Sequence, residues 1–576
     1  MTDYKIERLP FDHGALEAWG RADERRSNWP VVYTINGEKE IYVGETVNPT
    51  GRMFQHLQTE GRKHLKRVQI VFNETFNKSV CLDLESHLIR YFAADGRFEV
   101  LNRNHGLADA NYFEREKYRE SFNELFDELR EQGYLTRSIP DIENDDLFKF
   151  SPFKSLTIDQ AEAVDGIVDS IVADLRRLSG KTLVVQGDPG TGKTIVAVYL
   201  MKLLMDIGSS RPGELVDQDS MFAEFFEGDE REYLQGLRIG LVIPQQSLRK
   251  TLQRVFKQTP GLHKDMILSP FQVGQSREPF DLLIVDEAHR LSIRAAQPSA
   301  VLNIQFAEIN ERLFGRDDNS FTQLDWVKAQ SAHQVLLIDS AQSVKPSDLP
   351  IELLNDEIDT ARQTDRYFRL HSQMRVSAGA DYIRFIEDLL DGKATEIPDF
   401  GDYDFRIFDS VADMRAAIIE KDQEFGLSRL VAGYAWEWKS KTDPHAYDIE
   451  LDGVRLKWNT TATDWINSPT SLDEVGSIHT VQGYDLNYAG VIMGNDLEWD
   501  PAQRTFKFNR ESYFDKKGKA NNPKLGKSFT DDDLLEYVKN IYRVLLTRGV
   551  KGTFVVLPSN FSRSLISHGR FEGANN

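Results

Sequence analysis

The stretch TLVVQGDPGTGKTIVAVYLMKLLM, residues 182–205, decides how the rest of the chain is read. A short β-branched run ends in Gly187-Asp188-Pro189-Gly190-Thr191-Gly192-Lys193-Thr194, and a long apolar, helix-prone run follows. Strand, glycine-rich loop and helix in that order make a phosphate cradle. The glycines let backbone N–H groups converge on phosphate oxygens, and the helix N-terminus adds its dipole. In such a loop Lys193 reaches the β- and γ-phosphates, and the Thr194 hydroxyl ligates Mg²⁺. ATP and Mg²⁺ are therefore the expected cofactors.

Further along, the apolar run Leu282–Val285 delivers Asp286-Glu287-Ala288-His289 at its end. Open α/β sheets bind ligands at the carboxyl ends of their strands, so Asp286 is expected to hold Mg²⁺ and Glu287 to orient the attacking water. From Ser151 onward strand-like runs (TLVVQ, IGLVIP, LLIVDE, VLLID, RLVAGYAW, GVIMG, TFVVLP) alternate with helical stretches. That alternation predicts an α/β fold with two successive parallel-sheet domains, residues 151–358 and 359–576. Residues 209–237 read as an acidic insertion.

With these motifs in place the chain resembles the superfamily 1 helicases, in the manner of the Schlafen-like prokaryotic group. Leu156-Thr157-Ile158-Asp159-Gln160 looks like the adenine-reading segment, Gln160 pairing with the base edge. Ile338-Asp339-Ser340-Ala341-Gln342 looks like the segment whose glutamine senses the γ-phosphate, although many relatives have Gly-Asp before that glutamine. Leu370-His371-Ser372-Gln373-Met374-Arg375 resembles the opening of the second motor domain, with Arg375 as an arginine finger. Ser477 to Tyr484, with Gln482-Gly483, resembles a further nucleotide-contacting motif. Tyr542 to Arg548 resembles the last motif, with Arg548 as the second finger. The resemblance implies two RecA-like domains that bind ATP and move as it is hydrolysed.

The first 106 residues carry, from Val31 to Gly44, VVYTI-NG-EKEIYVG, two β-branched runs flanking Asn36-Gly37, a strong hairpin signal. They resemble the GIY-YIG nucleases. Val31-Val32-Tyr33 stands for the first signature triplet, without its glycine, and Tyr42-Val43-Gly44 for the second. Arg52 and His56 lie one helical turn apart, Glu85 matches the metal-binding glutamate, and Asn102 the late asparagine. The resemblance implies Tyr33 as general base, with Tyr42 and His56 around it, Arg52 on the transition-state phosphate and Glu85 on Mg²⁺. Residues 107–150, charged and helix-prone, read as a helical connector.

Composition sets the remaining bounds. The net charge is −21, and Arg62, Lys63, Lys66, Arg67 and the lysines from Lys516 to Lys527 form local basic runs. Binding to a polyanion depends on such patches and not on the total. Cys81 is the single cysteine, which excludes a disulfide framework and fits a reducing compartment. The opening residues have neither a basic start nor an apolar run, and no stretch is long enough for a membrane span, so the protein is expected to be cytoplasmic. Trp436, Trp438, Trp458 and Trp465 fall close together beside a second hairpin signal, YDIEL-DG-VRLKW. Core packing is the favoured reading for them, stacking on single-stranded bases the other. The expectation is a nuclease–helicase: Mg²⁺-dependent cleavage of nucleic acid, DNA in preference to RNA, coupled to ATP-driven translocation or unwinding. Such fusions suggest antiviral defence or repair. The alternative is an ATP-gated nucleic-acid-binding switch with a weak or inert nuclease domain.

Overall fold

The computed structural model describes residues 4–103, 112–177, 179, 181–211, 222–294, 299–339, 348–373, 376, 378–461, 465–481, 484–515 and 530–558. By its internal contacts the chain forms two compact units. The first comprises Met1–Lys181, Thr194–Leu241 and Thr251–Ile267; the second comprises Thr182–Lys193, Val242–Lys250 and Leu268–Asn576.

The first unit is built on a five-stranded sheet of β1 (Tyr4–Pro10), β2 (Val31–Asn36), β3 (Glu40–Thr46), β4 (Arg67–Asn73) and β5 (Glu99–Val100), in the order β1-β4-β2-β3-β5. The hairpin expected around Asn36-Gly37 forms, with Tyr33 opposite Gly44 and Asn36 opposite Ile41, so the turn falls one residue later, on Gly37 to Lys39. All six residues of β2 are buried because both faces of the sheet are covered. Val31, Tyr33 and Ile35 pack with Tyr42, Met53 and Leu16 on one face; Val32 packs with Val43, Leu84 and Leu88 on the other. Helix Pro49–Gln58 covers the first face and starts on Asn48, whose side chain caps the Gly51 N–H, with Pro49 in the first turn. Helix Lys78–Asp95 covers the second, capped by Asn77 and ended by Gly96 at φ 74°.

Residues 107–150 do more than connect. Tyr118, Phe122, Leu125, Phe126 and Leu129, from helix Arg115–Glu131, lie in the same core cluster as Leu84, Leu88 and Phe92, and Phe148 and Phe153 extend it. Tyr91 donates to Glu143 at 2.6 Å, and Asp95 accepts the Thr136 and Arg137 N–H groups at 2.9 Å. Two bonds carry this core onto the helices beyond it. Arg254, in helix Gln246–Gln258, donates to Asp146 at 2.8 Å, and Arg103 donates to the Asp206 carbonyl of helix Lys193–Ser209 at 2.9 Å.

The second unit holds two sheets made mainly of parallel strands. The first contains β6 (Thr182–Gly187), β7 (Ile239–Val242), β8 (Ile267–Leu268), β9 (Phe280–Val285), β10 (Ser331–Ile338) and β11 (Tyr367–Leu370), ordered β11-β6-β10-β9-β7-β8. The chain crosses between units at β7 and β8. Strand β11 pairs in parallel with β6, Leu370 opposite Gly187. The first sheet thus reaches Leu370, past the boundary expected at 358/359. The second sheet contains β12 (Asp404–Phe408), β13 (Ser428–Ala432), β14 (Ile449–Leu451), β15 (Val454–Trp458), β16 (Glu474–Gly476), β17 (Leu486–Ile492) and, after a separate ribbon of β18 (Leu497–Asp500) and β19 (Thr505–Phe508), β20 (Gly549–Val556). Its order is β12-β20-β17-β13-β16-β15-β14, parallel except for the β14–β15 hairpin. That hairpin turns on Asp452-Gly453, both at positive φ (51° and 78°), as its sequence predicted. The mixed α/β architecture is compatible with RecA-like domains. No helix among the described residues is long and apolar enough to cross a membrane.

Candidate functional site

The loop after β6 needs its glycines. Gly190 and Gly192 have φ of 86° and 77°, a region that side chains rarely adopt. A Cβ on Gly190 would also stand 2.0 Å from Gln373 Oε1, because Gln373 lies over the loop and donates to the Pro189 carbonyl at 2.7 Å. A Cβ on Gly187 would meet Thr191 Oγ1 at 2.3 Å, and Thr191 donates to the Asp188 carbonyl at 2.9 Å. Asp188 is paired with Arg369 of β11 at 3.1 Å.

Lys193 is buried, and its ammonium donates to the carbonyls of Gly187 (2.7 Å) and Asp188 (3.0 Å) and to Asp339 Oδ2 (3.1 Å). Asp286, fully buried at the end of β9, accepts the Glu287 N–H at 3.0 Å. The Asp339 N–H donates to His289 Nδ1 at 3.2 Å, so the ring proton of neutral His289 sits on Nε2. Nε2 stands 3.2 Å from Glu287 Oε2, and Arg290 Nε approaches the same oxygen at 3.2 Å; neither is aligned as a hydrogen bond. Burial pushes the Glu287 carboxyl upward, but His289, Arg290 and Lys193 outweigh it and hold the group ionised, well below the usual carboxylate range. His289, Arg290 and Asp339 received no role from the sequence. The adjacency of His289 and Arg290 to Glu287 was the available signal.

The other residues that the sequence singled out in the two α/β sheets are placed as follows. Gln160 lies in the first turn of helix Ile158–Arg177, fully buried, its Oε1 accepting the Thr157 N–H at 3.1 Å. Thr194 follows Lys193 at the start of helix Lys193–Ser209. Arg548 is buried after helix Asp531–Leu546 and donates to the Tyr484 carbonyl at 3.2 Å, within its own α/β layer. Gln342, Arg375, Gln482, Gly483 and the lysines from Lys516 to Lys527 lie outside the described residues.

In the first unit Tyr33, Tyr42, Arg52 and His56 share one face of the sheet. Tyr33 Oη and His56 Nε2 are 2.7 Å apart, and the His56 ring lies 4.9 Å from that of Tyr42. Arg62, stacked 3.7 Å over Tyr42, donates to His56 Nδ1. A guanidinium only donates, so neutral His56 carries its proton on Nε2 and gives it to Tyr33 Oη. Burial, with Arg62 and Arg52 beside it, pushes the imidazole down to about 2 and keeps it neutral. Burial also raises the Tyr33 phenol well above its ordinary value, as does Tyr42; Arg52, within hydrogen-bond reach of the oxygen, and Arg62 oppose this. Gly44 is where the Tyr33 ring passes: a Cβ there would stand 2.3 Å from its hydroxyl.

The remaining two residues of that group are set apart. Glu85 belongs to the helix on the opposite face, buried near Cys81, whose thiol is raised by burial and by Glu45 and Glu85. Asn102 brackets β3, accepting the Val43 N–H at 3.0 Å and donating to the Val43 carbonyl at 2.8 Å, as a neighbouring strand would. Among the described residues no three His, Cys, Asp or Glu side chains are grouped to hold a metal.

Of the four tryptophans, Trp465 is fully buried and donates to Glu474 at 2.8 Å, and Trp458 is core. Trp436 and Trp438 are half-buried. Trp436 lines a cavity of about 620 Å³ with Phe408, Phe514 and Asn495, beyond the carboxyl ends of β12, β13, β17 and β20.

Comparison with known proteins places these features in a family. Residues 180–559 match the model of the Schlafen group 3 DNA/RNA helicase domain. An uncharacterized protein of Saccharomyces cerevisiae is 26% identical over 402 residues, covering 65% of this chain and 80% of that protein. The match to the family model spans P-loop, acidic strand end and second sheet alike, and the chain belongs to the Schlafen group 3 DNA/RNA helicase domain family.

Proposed function

We propose that the second unit, with the P-loop helix, is an ATP-driven motor on nucleic acid, and that the N-terminal sheet is a nuclease of the GIY-YIG type that the motor serves. The observation that carries the motor reading is the buried line from Lys193 through Asp339 and His289 to Glu287. An arriving triphosphate gives Lys193 charged oxygens in place of two neutral carbonyls, and charge-assisted hydrogen bonds are roughly twice as strong. Movement of Lys193 frees Asp339, and through the Asp339 N–H and His289 that change reaches Glu287, the residue placed to orient the attacking water. Asp286 and Thr194 offer hard carboxylate and hydroxyl oxygens, the donor set Mg²⁺ takes, and the ion would neutralise charge on the phosphates there. On this reading Gln160 reads the adenine, and Arg375 and Arg548 neutralise the phosphates.

For the nuclease, the supporting observation is that His56 Nε2–H and Arg52 both address Tyr33 Oη. Burial and Tyr42 raise the phenol and disfavour its anion, the form that accepts a proton from water; these donors oppose that rise. Arg52 can also neutralise a scissile phosphate. Glu85, the carboxylate that the resemblance gives to Mg²⁺, lies on the opposite face of the sheet from Tyr33 and Arg52, so no step is routed through a metal there. DNA is the preferred substrate on this reading, with RNA as the second arm of every assay.

The test is a matched set of assays on the full chain: ATP hydrolysis with and without single-stranded DNA or RNA, strand displacement, and Mg²⁺-dependent cleavage. ATP hydrolysis and movement without cleavage would leave the motor and remove the nuclease. Binding of ATP without strand displacement would favour a nucleotide-gated switch.

A further inference from the structure

The Arg290 side chain is mostly withdrawn from solvent beside Glu287, with much of its hydrogen-bonding capacity unmet. Its side chain is 9% exposed, and Nε and Nη2 have no aligned hydrogen bond among the described residues. Burying a guanidinium without matched acceptors is costly, and strain of this kind concentrates where function uses it. Its near neighbour is Glu287, the residue assigned to orient water. Glu287 itself has φ 52°, a left-handed conformation unusual for a non-glycine residue, so the backbone aims its carboxylate.

Oε2 of that carboxylate has both Arg290 Nε and His289 Nε2 at 3.2 Å. A water that is to be oriented by Glu287 needs the lone pairs of the same group, so it competes with the guanidinium. Arg290 is near enough to the second sheet for its charge to be felt there. Its charge opposes the upward push that burial and Asp515 exert on the Tyr434 hydroxyl, two residues beyond β13. The Tyr434 ring packs edge-on against Trp458 (5.3 Å), Tyr513 (5.9 Å) and His479 (5.9 Å). Gln245, after β7, reaches the His479 carbonyl at 3.5 Å. Gln245 thus joins the first sheet to the second at His479, and the Arg290 charge reaches the Tyr434 ring that packs on His479.

We infer that Arg290 is a positioning residue that restrains Glu287 in the idle motor and releases it when the second sheet shifts against the first. Turnover would then stay low until nucleic acid and ATP together move Tyr434 and His479. The inference rests on the ATPase reading above, and it makes a prediction opposite to that of an ordinary structural arginine.

The experiment measures steady-state ATP hydrolysis by the full chain, with and without single-stranded oligonucleotide (DNA and RNA in separate arms), for wild type, Arg290→Gln, Arg290→Met and Arg290→Lys. The expected result is a several-fold rise in kcat without oligonucleotide for the Gln and Met variants. KM for ATP should be unchanged, and the stimulation by oligonucleotide should shrink toward one. Arg290→Lys, which keeps a cation beside Glu287, should stay near wild type. Met fills the volume if Gln disturbs folding, which thermal unfolding reports. A fall in kcat, or no rise, in folded Gln and Met variants of a protein whose wild type hydrolyses ATP overturns the inference and spares the ATPase reading. A wild type that neither binds nor hydrolyses ATP overturns both.

Discussion

Gly44→Ala is a small change with a large expected effect on cleavage. The added Cβ would stand 2.3 Å from Tyr33 Oη and 2.4 Å from Cζ, where ordinary contacts begin near 3.4 Å. One partner must move by about an ångström. Gly44 is fixed by its register opposite Tyr33 in the β2–β3 ladder, so the Tyr33 ring is the part that moves. That ring is 1% exposed and packed on all sides, and overpacking of this kind costs about 1–3 kcal/mol. Displacement also breaks the 2.7 Å contact with His56 and pulls the phenolic oxygen away from Arg52. Loss of a positioned general base typically lowers a rate by about a hundredfold to ten-thousandfold. The assay is Mg²⁺-dependent cleavage of labelled single-stranded, duplex and forked DNA and of RNA, with ATP hydrolysis measured on the same preparations. Cleavage should fall by at least about a hundredfold while ATP turnover stays within twofold of wild type, roughly the error of such comparisons. Wild-type cleavage by folded Gly44→Ala would refute the assignment of Tyr33 as the base.

Two further outcomes follow from packing and charge. Residues 1–106 alone lack helix Arg115–Glu131, so Leu84, Leu88, Tyr91 and Phe92 lose the aromatic cover of Tyr118, Phe122 and Phe126; that fragment should be aggregated or unfolded by circular dichroism, whereas a fragment of residues 1–155 should show a cooperative melt. Burial pushes the Asp496 carboxyl, which accepts from Tyr542 at 2.7 Å, up to about 7 from an ordinary 3.8. A raised folded-state value gives stability that is complete below pH about 4 and is lost as pH rises toward about 7. Asp496→Asn, neutral throughout, should flatten that decline in chemical denaturation; an unchanged slope between those pH values would mean that Asp496 titrates normally.

The parts legible in the sequence are those whose reason is local. The P-loop glycines show because only their backbone freedom permits φ near 80°, and the second hairpin shows because Asp452-Gly453 carries its own turn preference, while at the first the turn falls one residue past Asn36. Asp286-Glu287 shows because an apolar strand runs straight into it. Association at long range was not legible. Tyr367–Leu370 is four residues of mixed burial, and nothing in it says that it pairs with β6 and not with the second sheet. The stretch 107–150 looks like a connector because its charge is on the surface, while the apolar face of Arg115–Glu131 finds its partner thirty residues earlier. Asn102 matches a signature asparagine, yet its geometry is that of a strand bracket on Val43. His289 and Arg290 acquire meaning only when β9 and β10 bring Asp339 beside them.

The motor reading stands or falls on Lys193. Its ammonium is the cation seated in the P-loop, held there by two carbonyls and Asp339. Measured side by side, wild type, Lys193→Ala and Glu287→Gln should separate binding from hydrolysis. Lys193→Ala should lose ATP hydrolysis and bind a fluorescent ATP analogue at least about tenfold more weakly, since a lost charge-assisted contact costs about 1.5–3 kcal/mol. Glu287→Gln should bind the analogue normally and fail to turn ATP over. Near-native hydrolysis by folded Lys193→Ala would contradict the account.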